Sequence, residues 1–230
     1  MLSKRADGGE GLGANSGALG ANLMDHIVMS AQGVGGPLKG GRQALQPGRS
    51  VFLPRFDLRD ATDEAAQRGF GVQLYQSSLG EGASFFQGVS FSEMTPRTDN
   101  RIELDKTRLD KWGVPTLKIT CKPSSRELEI AERQACALRE IAEILGVELT
   151  MINDRPSPPG MAIHECGSAR MGDSSDNSVL DPYAQCWDAR GLYVTDGAAF
   201  PSQGTQNPTL TIMAITARAV DHALKARGEG

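Results

Sequence analysis

The stretch A-I-H-E-C-G-S-A-R-M-G, residues 162–172, places one histidine, His164, among small side chains and glycines. Small residues allow a backbone to run close to a bulky ligand, because no side chain occupies the space between them. A lone histidine is nevertheless more often a hydrogen-bonded structural residue than a catalytic one. The significance of His164 therefore depends on the segments that accompany it.

A second stretch, L-Y-V-T-D-G-A-A-F-P at residues 192–201, is followed by N-P-T-L-T at residues 207–211. The apolar run Leu192–Val194 predicts a short buried strand. Asn207 as N-cap and Pro208 at the first helical position predict a helix that continues to about Lys225. A strand that leads through a loop into a helix N-terminus is a common arrangement at cofactor sites.

Together these stretches resemble the C-terminal part of the glucose-methanol-choline family of flavin oxidoreductases. The family pattern H-x-x-G-[ST]-x-R-M-G is matched from His164 to Gly172. Its flavin-contacting aspartate and glycine are matched by Asp196 and Gly197, and the residue before its last helix is matched by Asn207. Order and spacing agree throughout, so the chain is similar to the C-terminal portion of such an enzyme.

The resemblance implies oxidation of a CH–OH group with FAD as the cofactor. It implies that His164 is the base that accepts the hydroxyl proton and that Asn207 orients the substrate oxygen, so both side chains should converge on one cleft. It implies the following flavin contacts: Asp196, Gly197, Asn207, Pro208 and Thr209. The stretches 186–188 and 206–211 are most similar to bacterial sugar and gluconate dehydrogenases, which implies a sugar, polyol or sugar acid as substrate.

One family feature is missing from these residues, namely a buried strand that runs into G-x-G-x-x-G and a helix that holds the pyrophosphate. The near match Gly9–Ala14 follows Lys4–Asp7, which is no buried strand, and no helical pattern comes after it. We interpret it as a glycine-rich loop. The alternative to an active enzyme is therefore a truncated non-catalytic remnant, or a subunit whose flavin is held by a separate chain with the dinucleotide-binding half.

The middle of the chain predicts a mostly antiparallel sheet, because short β-type runs alternate with turn residues. These runs are 51–53, 69–75, 85–91, 101–104 and 116–120. Ser124 and Glu127 form a capping-box pattern, and apolar residues at helical spacing continue from Leu128 to Leu145 before Gly146. The fold class predicted is α+β: an antiparallel substrate-domain sheet packed with helices, plus the C-terminal strand and helix of an incomplete FAD-binding domain.

The predicted organisation has three parts. Residues 1–48, rich in glycine, are expected to be a mostly loop-like arm or linker from the FAD domain, residues 49–160 the substrate-binding domain, and residues 161–230 the catalytic and FAD-contacting segment. The three predicted parts do not include the dinucleotide-binding half of the FAD domain. We therefore expect an apolar surface that is exposed or covered only by the arm, near Leu192, Val194, Leu210 and Met213.

Charge and hydropathy narrow the range of partners. The net charge is −4 and charges of both signs are interspersed, which argues against a nucleic-acid or anionic-membrane surface. No apolar run is long enough for a membrane span, and residues 1–7 have no signal-peptide hydrophobic region, so a cytoplasmic location is the default expectation.

Three other chemistries could in principle use the residues around His164. Zinc would need a second ligand pair near His164 and Cys166, and the sequence offers none, so no metal site is expected. A serine hydrolase would need a G-x-S-x-G elbow, which does not occur. Cys166 as a nucleophile is a minor alternative, because positions i and i+2 of an extended chain share one face and would bring Cys166 to the side of His164. The four cysteines are expected to be reduced thiols.

Overall fold

The computed structural model describes residues 1, 11–37, 50–56, 69–80 and 82–228. Its elements are strands and helices in an α+β arrangement, as the sequence predicts. Their bounds are β1 Ile27–Gly35, β2 Ser50–Phe56, β3 Phe70–Gly80, β4 Ala83–Ser92, β5 Arg101–Leu109, β6 Pro115–Thr120, α1 Ser125–Ile144, β7 Val147–Ile152 and α2 Thr209–Arg227. No helix in these ranges is both long and apolar enough to cross a membrane.

The main sheet has the strand order β2-β3-β4-β1-β7, and every neighbouring pair is antiparallel. Strands β5 and β6 form a separate antiparallel pair. The prediction of a mostly antiparallel sheet over residues 50–160 is thus confirmed, including the five strands expected from alternation. The domain boundaries near residues 48 and 160 stay a prediction.

Strand β1 corrects the interpretation of residues 1–48 as mostly loop. It is the fourth of the five strands in the sheet and is paired on both sides, with β4 and β7. The glycines that suggested a loop have another use, because the β1–β7 register shifts between Gln32 and Gly33, and a Cβ on Gly33 would lie 2.5 Å from the carbonyl oxygen of Glu148. Glycine is needed there for close approach at a bulge. The near match Gly9–Ala14 lies partly outside the described residues, and its described part falls in turns.

Helix α1 begins and ends where the sequence predicts. The Ser124 hydroxyl accepts a hydrogen bond from the Glu127 amide at 3.3 Å, and the Glu127 carboxylate accepts one from the Ser124 amide at 2.6 Å, which completes the capping box. After the helix, Gly146 adopts a φ of 65°, a left-handed conformation that glycine tolerates. Both ends of α1 are therefore set by local sequence.

The middle of α1 is fixed to the sheet by apolar packing and by one buried amide. Leu138 and Ile141 share a core with Phe86 of β4, whereas Leu128 and Leu145 at the ends of the predicted stripe are exposed. The fully buried Gln134 donates to the carbonyl oxygen of Ile27 at 3.2 Å and to the Ser90 hydroxyl at 2.9 Å. These bonds satisfy the amide where water is excluded, so they set the position of α1 on β1 and β4.

The strand predicted over Leu192–Val194 is wrong. Only Tyr193 forms an isolated bridge, to Gln185, and all three residues are half-buried. The Cys186 amide donates to the carbonyl of Leu192 at 2.8 Å and the Val194 amide donates to the carbonyl of Ala184 at 3.1 Å, but turns on both sides of the facing residues stop this pairing from extending into a strand. The predicted C-terminal strand of a flavin domain is therefore not formed within these residues.

Helix α2 is formed, but its start differs from the prediction. It begins at Thr209 after Pro208, and no side chain caps it, so Asn207 is not the N-cap. Leu210 and Met213 on α2 are 79% and 62% exposed, which confirms the expected apolar surface on the helix. The expectation is wrong for Leu192 and Val194, which pack against a second, smaller core.

An antiparallel contact joins residues 20–26 to the segment 164–168. Met24 and Cys166 exchange both backbone hydrogen bonds, each 2.9 Å long. Beside this pair, Gly167 has a φ of 84°, and a Cβ added there would lie 2.0 Å from the carbonyl oxygen of Asn22. No side chain fits at this position without displacing the backbone of the facing segment.

We predict that Gly167→Ala lowers the free energy of unfolding by about 3 kcal/mol, because left-handed strain and a backbone clash add together. The matched control is Gly113→Ala, where φ is 79° but no atom lies within 4 Å of the added Cβ, so only about 1 kcal/mol of strain is expected. Urea denaturation followed by circular dichroism measures both. Equal losses in the two variants would show that the clash is not the cause.

Candidate active site

The contact between residues 20–26 and 164–168 also determines which side chains meet. Because Met24 faces Cys166 in an antiparallel register, the residue two positions after Met24 lies opposite the residue two positions before Cys166. These are His26 and His164, whose Nδ1 atoms are 2.9 Å apart. Their rings meet edge to face, with centroids 5.0 Å apart and an interplanar angle of 85°.

On its other side, His164 meets Asn207. The Nδ2 atom of Asn207 lies 3.4 Å from Nε2 of His164, so the two predicted catalytic residues are brought together across 43 positions. The Asn207 amide is oriented from the sheet, because Gln73 of β3 donates a 2.7 Å hydrogen bond to its Oδ1. Tyr75 in turn donates its hydroxyl proton to Oε1 of Gln73 at 2.8 Å. Asn207 is thus free of the helix cap and held as a donor toward His164.

The imidazole environment is partly apolar. The Phe91 ring centroid lies 5.5 Å from that of His26 and 5.8 Å from that of His164. Burial lowers the pKa of His26 to about 4, with a further contribution from His164, while Asp25 and Glu93 act in the opposite direction. Burial also lowers the pKa of His164, opposed by Asp25 and Glu165. Both rings are therefore neutral at pH 7, as a general base requires.

Cys166 is unsuited to nucleophilic attack. Its side chain is buried between the Met24 segment and Gly197, and burial raises the pKa of its thiol to about 12. A thiol in this state stays protonated at neutral pH. Within the described ranges, no three His, Cys, Asp or Glu side chains are placed to hold a metal ion.

Asp196 and Gly197 lie directly behind the His164 segment. The Asp196 carboxylate accepts a hydrogen bond from the amide of Ala198 at 2.9 Å and so starts a single 3-10 turn, Gly197–Ala199. The carbonyl oxygen of Gly197 accepts a 3.0 Å hydrogen bond from the Gly167 amide, and a Cβ on Gly197 would lie 2.7 Å from the carbonyl oxygen of Glu165. The structure thus places both residues next to the site, while their contact with a flavin stays a prediction.

The open side of the site combines strained backbone, apolar side chains and an uncapped helix. Ile163 has a φ of 54° and is 80% exposed, an uncommon and costly conformation for a β-branched residue. Helix α2 starts at Thr209, directly after Pro208, and its first amide groups have no side-chain cap. Leu210 and Met213 extend the exposed apolar surface along the helix.

Sequence reasoning did not find three side chains of this site, namely His26, Gln73 and Tyr75. His26 lies outside the two stretches that carry the family resemblance, and its partner His164 is 138 positions away. The available signal was the rarity of histidine, since His26 is one of only three in the chain. Gln73 and Tyr75 occupy alternate positions of a strand and carry no sequence pattern that marks them.

The chain is similar in sequence to several known dehydrogenases and oxidases. The chain is 27% identical to 2-methyl-1,2-propanediol dehydrogenase of Mycolicibacterium austroafricanum, over 96% of this chain and 44% of that protein. It is 30% identical to a C-glycoside 3-oxidase of Arthrobacter globiformis, over 80% of this chain and 36% of that protein. It is 26% identical to the fructose dehydrogenase large subunit of Gluconobacter japonicus, over 96% of this chain and 43% of that protein.

The fold is also similar to solved structures. An FAD-dependent oxidoreductase from Chaetomium thermophilum superimposes with a TM-score of 0.57 at 13% identity, over 91% of this chain and 49% of that one. The chain therefore spans less than half the length of each of these proteins. Similarity at this identity concerns the fold alone.

The sequence profile of the family described as GMC oxidoreductase matches residues 96–216, which include His164, Asp196, Gly197 and Asn207. This match covers more than half of the chain. Enzymes of this family are FAD-dependent flavoenzymes, and the structurally similar proteins include an FAD-dependent oxidoreductase and a formate oxidase studied for its FAD modification. The chain therefore belongs to the glucose-methanol-choline (GMC) oxidoreductase family.

Proposed function

We propose that this chain provides the substrate-facing part of an FAD-dependent oxidoreductase that oxidises a CH–OH group, with His164 as the base. The observation that carries the proposal is the convergence of His164 Nε2 and Asn207 Nδ2, 3.4 Å apart, within a segment that matches the family. An imidazole acceptor and an amide donor at this separation are suited to one substrate oxygen that must be deprotonated and oriented at the same time.

The substrate class that we propose is a sugar, polyol or sugar acid. The named relatives are a propanediol dehydrogenase, a C-glycoside oxidase and a fructose dehydrogenase subunit, all of which point to substrates with hydroxyl groups. The site itself offers neutral hydrogen-bonding groups, namely His164, Asn207, Gln73 and Tyr75. Neutral donors and acceptors fit uncharged hydroxyl groups.

The residues around the site fit a flavin. Its ring system is flat and largely apolar, and the exposed Ile163, Leu210 and Met213 offer apolar contacts beside the site. Its pyrimidine end becomes negatively charged on reduction, and the uncapped start of α2 after Pro208 offers free backbone N–H groups, beginning with that of Thr209. We propose these residues, with Asp196 and Gly197, as the chain's flavin contacts. FAD supplies the acceptor for the hydride that leaves the carbinol carbon.

The chain's own residues carry the proton chemistry. Nε2 of His164 accepts the hydroxyl proton, and the electron pair of the broken O–H bond forms the carbonyl as the C–H bond gives up its hydride. Asn207 donates its Nδ2 proton to the same oxygen and so keeps the carbinol oxygen next to Nε2. Gln73 fixes the Asn207 amide in this orientation by donating to its Oδ1. The product is an aldehyde or ketone.

A second candidate is that the flavin is held mainly by a separate chain. In the described ranges the main sheet is antiparallel throughout and contains no βαβ unit of the kind that binds dinucleotides. The exposed Leu210 and Met213 on α2 also form an apolar surface suited to a protein partner. One relative is itself the large subunit of a dehydrogenase. A non-catalytic remnant is the remaining alternative.

We predict that the purified chain binds added FAD weakly and gains activity when its dinucleotide-binding half is supplied as a second chain. Equilibrium dialysis measures FAD binding, and dye reduction with a panel of sugars and polyols measures activity. Yellow, flavin-loaded chain that is active alone would exclude both the split arrangement and the remnant. Inactivity under all conditions, with FAD bound, would favour the remnant.

We predict that His164→Ala slows flavin reduction by about 10²- to 10⁴-fold in the flavin-loaded protein, because the hydroxyl proton loses its acceptor. Stopped-flow absorbance under anaerobic conditions measures the rate. The control is His222→Ala, which removes an α2 histidine stacked on Tyr183 and should leave the rate close to that of the parent protein. An unchanged rate in His164→Ala would refute His164 as the base.

We predict that the acidic limb of the pH profile of kcat/KM lies below pH 6.5. The base must be neutral, and burial lowers the pKa of His164 from its ordinary value of 6.5, so acidification removes activity only below that value. Asp25 and Glu165 reduce the shift without reversing it. Steady-state kinetics between pH 4.5 and 8 provide the test, and loss of the acidic limb in His164→Ala confirms its assignment. A limb centred above pH 7 would contradict the structure.

A further inference from the structure

A second histidine stands behind the proposed base. His26 is 2% exposed, and both of its ring nitrogens are engaged. Nε2 lies 3.0 Å from the carbonyl oxygen of Gly204, and Nδ1 lies 2.9 Å from Nδ1 of His164. The neighbouring backbone is fixed as well, because Asp25 accepts hydrogen bonds from the amides of His26 at 2.8 Å and Gly160 at 2.7 Å. The His26 ring therefore has one position and one set of partners.

These partners determine where the protons of the two rings lie. A carbonyl oxygen only accepts hydrogen bonds, so Nε2 of His26 must carry a proton and donate it to Gly204. A neutral imidazole has one N–H, which leaves Nδ1 of His26 as an acceptor. The hydrogen bond at 2.9 Å then requires Nδ1 of His164 to be the donor. By the same count, Nε2 of His164 carries a lone pair and faces Asn207 Nδ2–H.

We propose that His26 is a positioning residue that fixes the tautomer of His164, so that the nitrogen facing Asn207 and the substrate is the one without a proton. The inference rests on the proposed function, in which His164 is the base. His26 does not touch the substrate. It acts through His164, because both rings can form their hydrogen bonds only when His164 carries its proton on Nδ1.

The opposite arrangement is incompatible with these contacts. If His26 were protonated, its Nδ1–H would point at Nδ1 of His164, and a neutral His164 would carry its own proton on Nε2. That proton would face the Nδ2–H of Asn207, so two donors would meet and the base would lose its acceptor. The charged groups that act on His26 are Asp25 and Glu93, and burial of the ring outweighs both and keeps it neutral.

Removing His26 should therefore change the tautomer of His164, the proposed base, and leave the His164 side chain itself in place. In water, neutral histidine prefers the proton on Nε2, which for His164 is the unproductive tautomer. In His26→Ala, the Nδ1 acceptor of His26 that holds the proton on Nδ1 of His164 is gone. In His26→Gln, the amide can donate to Gly204 and accept from His164, so it reproduces both hydrogen bonds.

The direct test is nitrogen-15 NMR of the histidine rings in the 230-residue chain at pH 7, with signals assigned by the substitutions His164→Gln and His222→Gln. Two-bond proton–nitrogen correlations separate the two tautomers of a neutral ring. We expect Nδ1–H for His164 in the parent chain and in His26→Gln, and predominantly Nε2–H in His26→Ala. Nε2–H in the parent chain would overturn the proposal without any variant, as would Nδ1–H retained in a folded His26→Ala.

A kinetic measurement separates this inference from the proposed function. In the flavin-loaded protein, we expect His26→Ala to slow flavin reduction by about a hundredfold with KM little changed, and His26→Gln to recover most of the rate. If His26→Ala changes the tautomer of His164 but His164→Ala does not change the rate, His26 still sets the tautomer and the assignment of His164 as the base is refuted. Loss of rate in His26→Ala that His26→Gln fails to recover, with the tautomer unchanged, would assign His26 a merely structural role.

Discussion

The antiparallel pairing of Met24 with Cys166 is the contact on which the site depends. Its two backbone hydrogen bonds, each 2.9 Å long, set the register that brings His26 opposite His164. It also requires glycine at position 167, because the carbonyl of Asn22 occupies the space of a side chain. Gly197 closes the other side of the same segment for a similar reason. The glycines of this region thus leave room for neighbouring backbone, while His164 supplies the reactive group.

The site is divided between a rigid scaffold and loops. The scaffold supplies Gln73 from β3 and Phe91 from β4, in a sheet fixed to α1 by the buried Gln134. The loops supply His164 and Asn207, which regular structure does not hold. A hydrogen-bonded series from Tyr75 through Gln73 to Asn207 connects the two parts. Such support from a strand orients a loop side chain without fixing it in a helix cap.

Local sequence determined the parts of the fold that could be predicted. The capping box at Ser124 and the alternation in β3 and β4 are patterns within one element, and both elements form as expected. Strand β1 could not be predicted, because its glycines serve a bulge against β7, a partner more than a hundred residues away. The Leu192–Val194 strand does not form, because the residues that face it, around Gln185, lie between turns and pair with it over a single bridge. His164 and Asn207 could be predicted from their motif, whereas His26 required the three-dimensional register.

The distance along the chain between the paired segments has a consequence for folding. The hairpin β3–β4 and the helix α1 join residues that are close in the sequence, whereas Met24 and Cys166 are 142 positions apart. Closing so long a loop has a large entropic cost that few local contacts offset at once. We therefore expect the histidine pair to assemble among the last native contacts, after the sheet. The ring protons of His164 would then report the completion of folding as well as the state of the site.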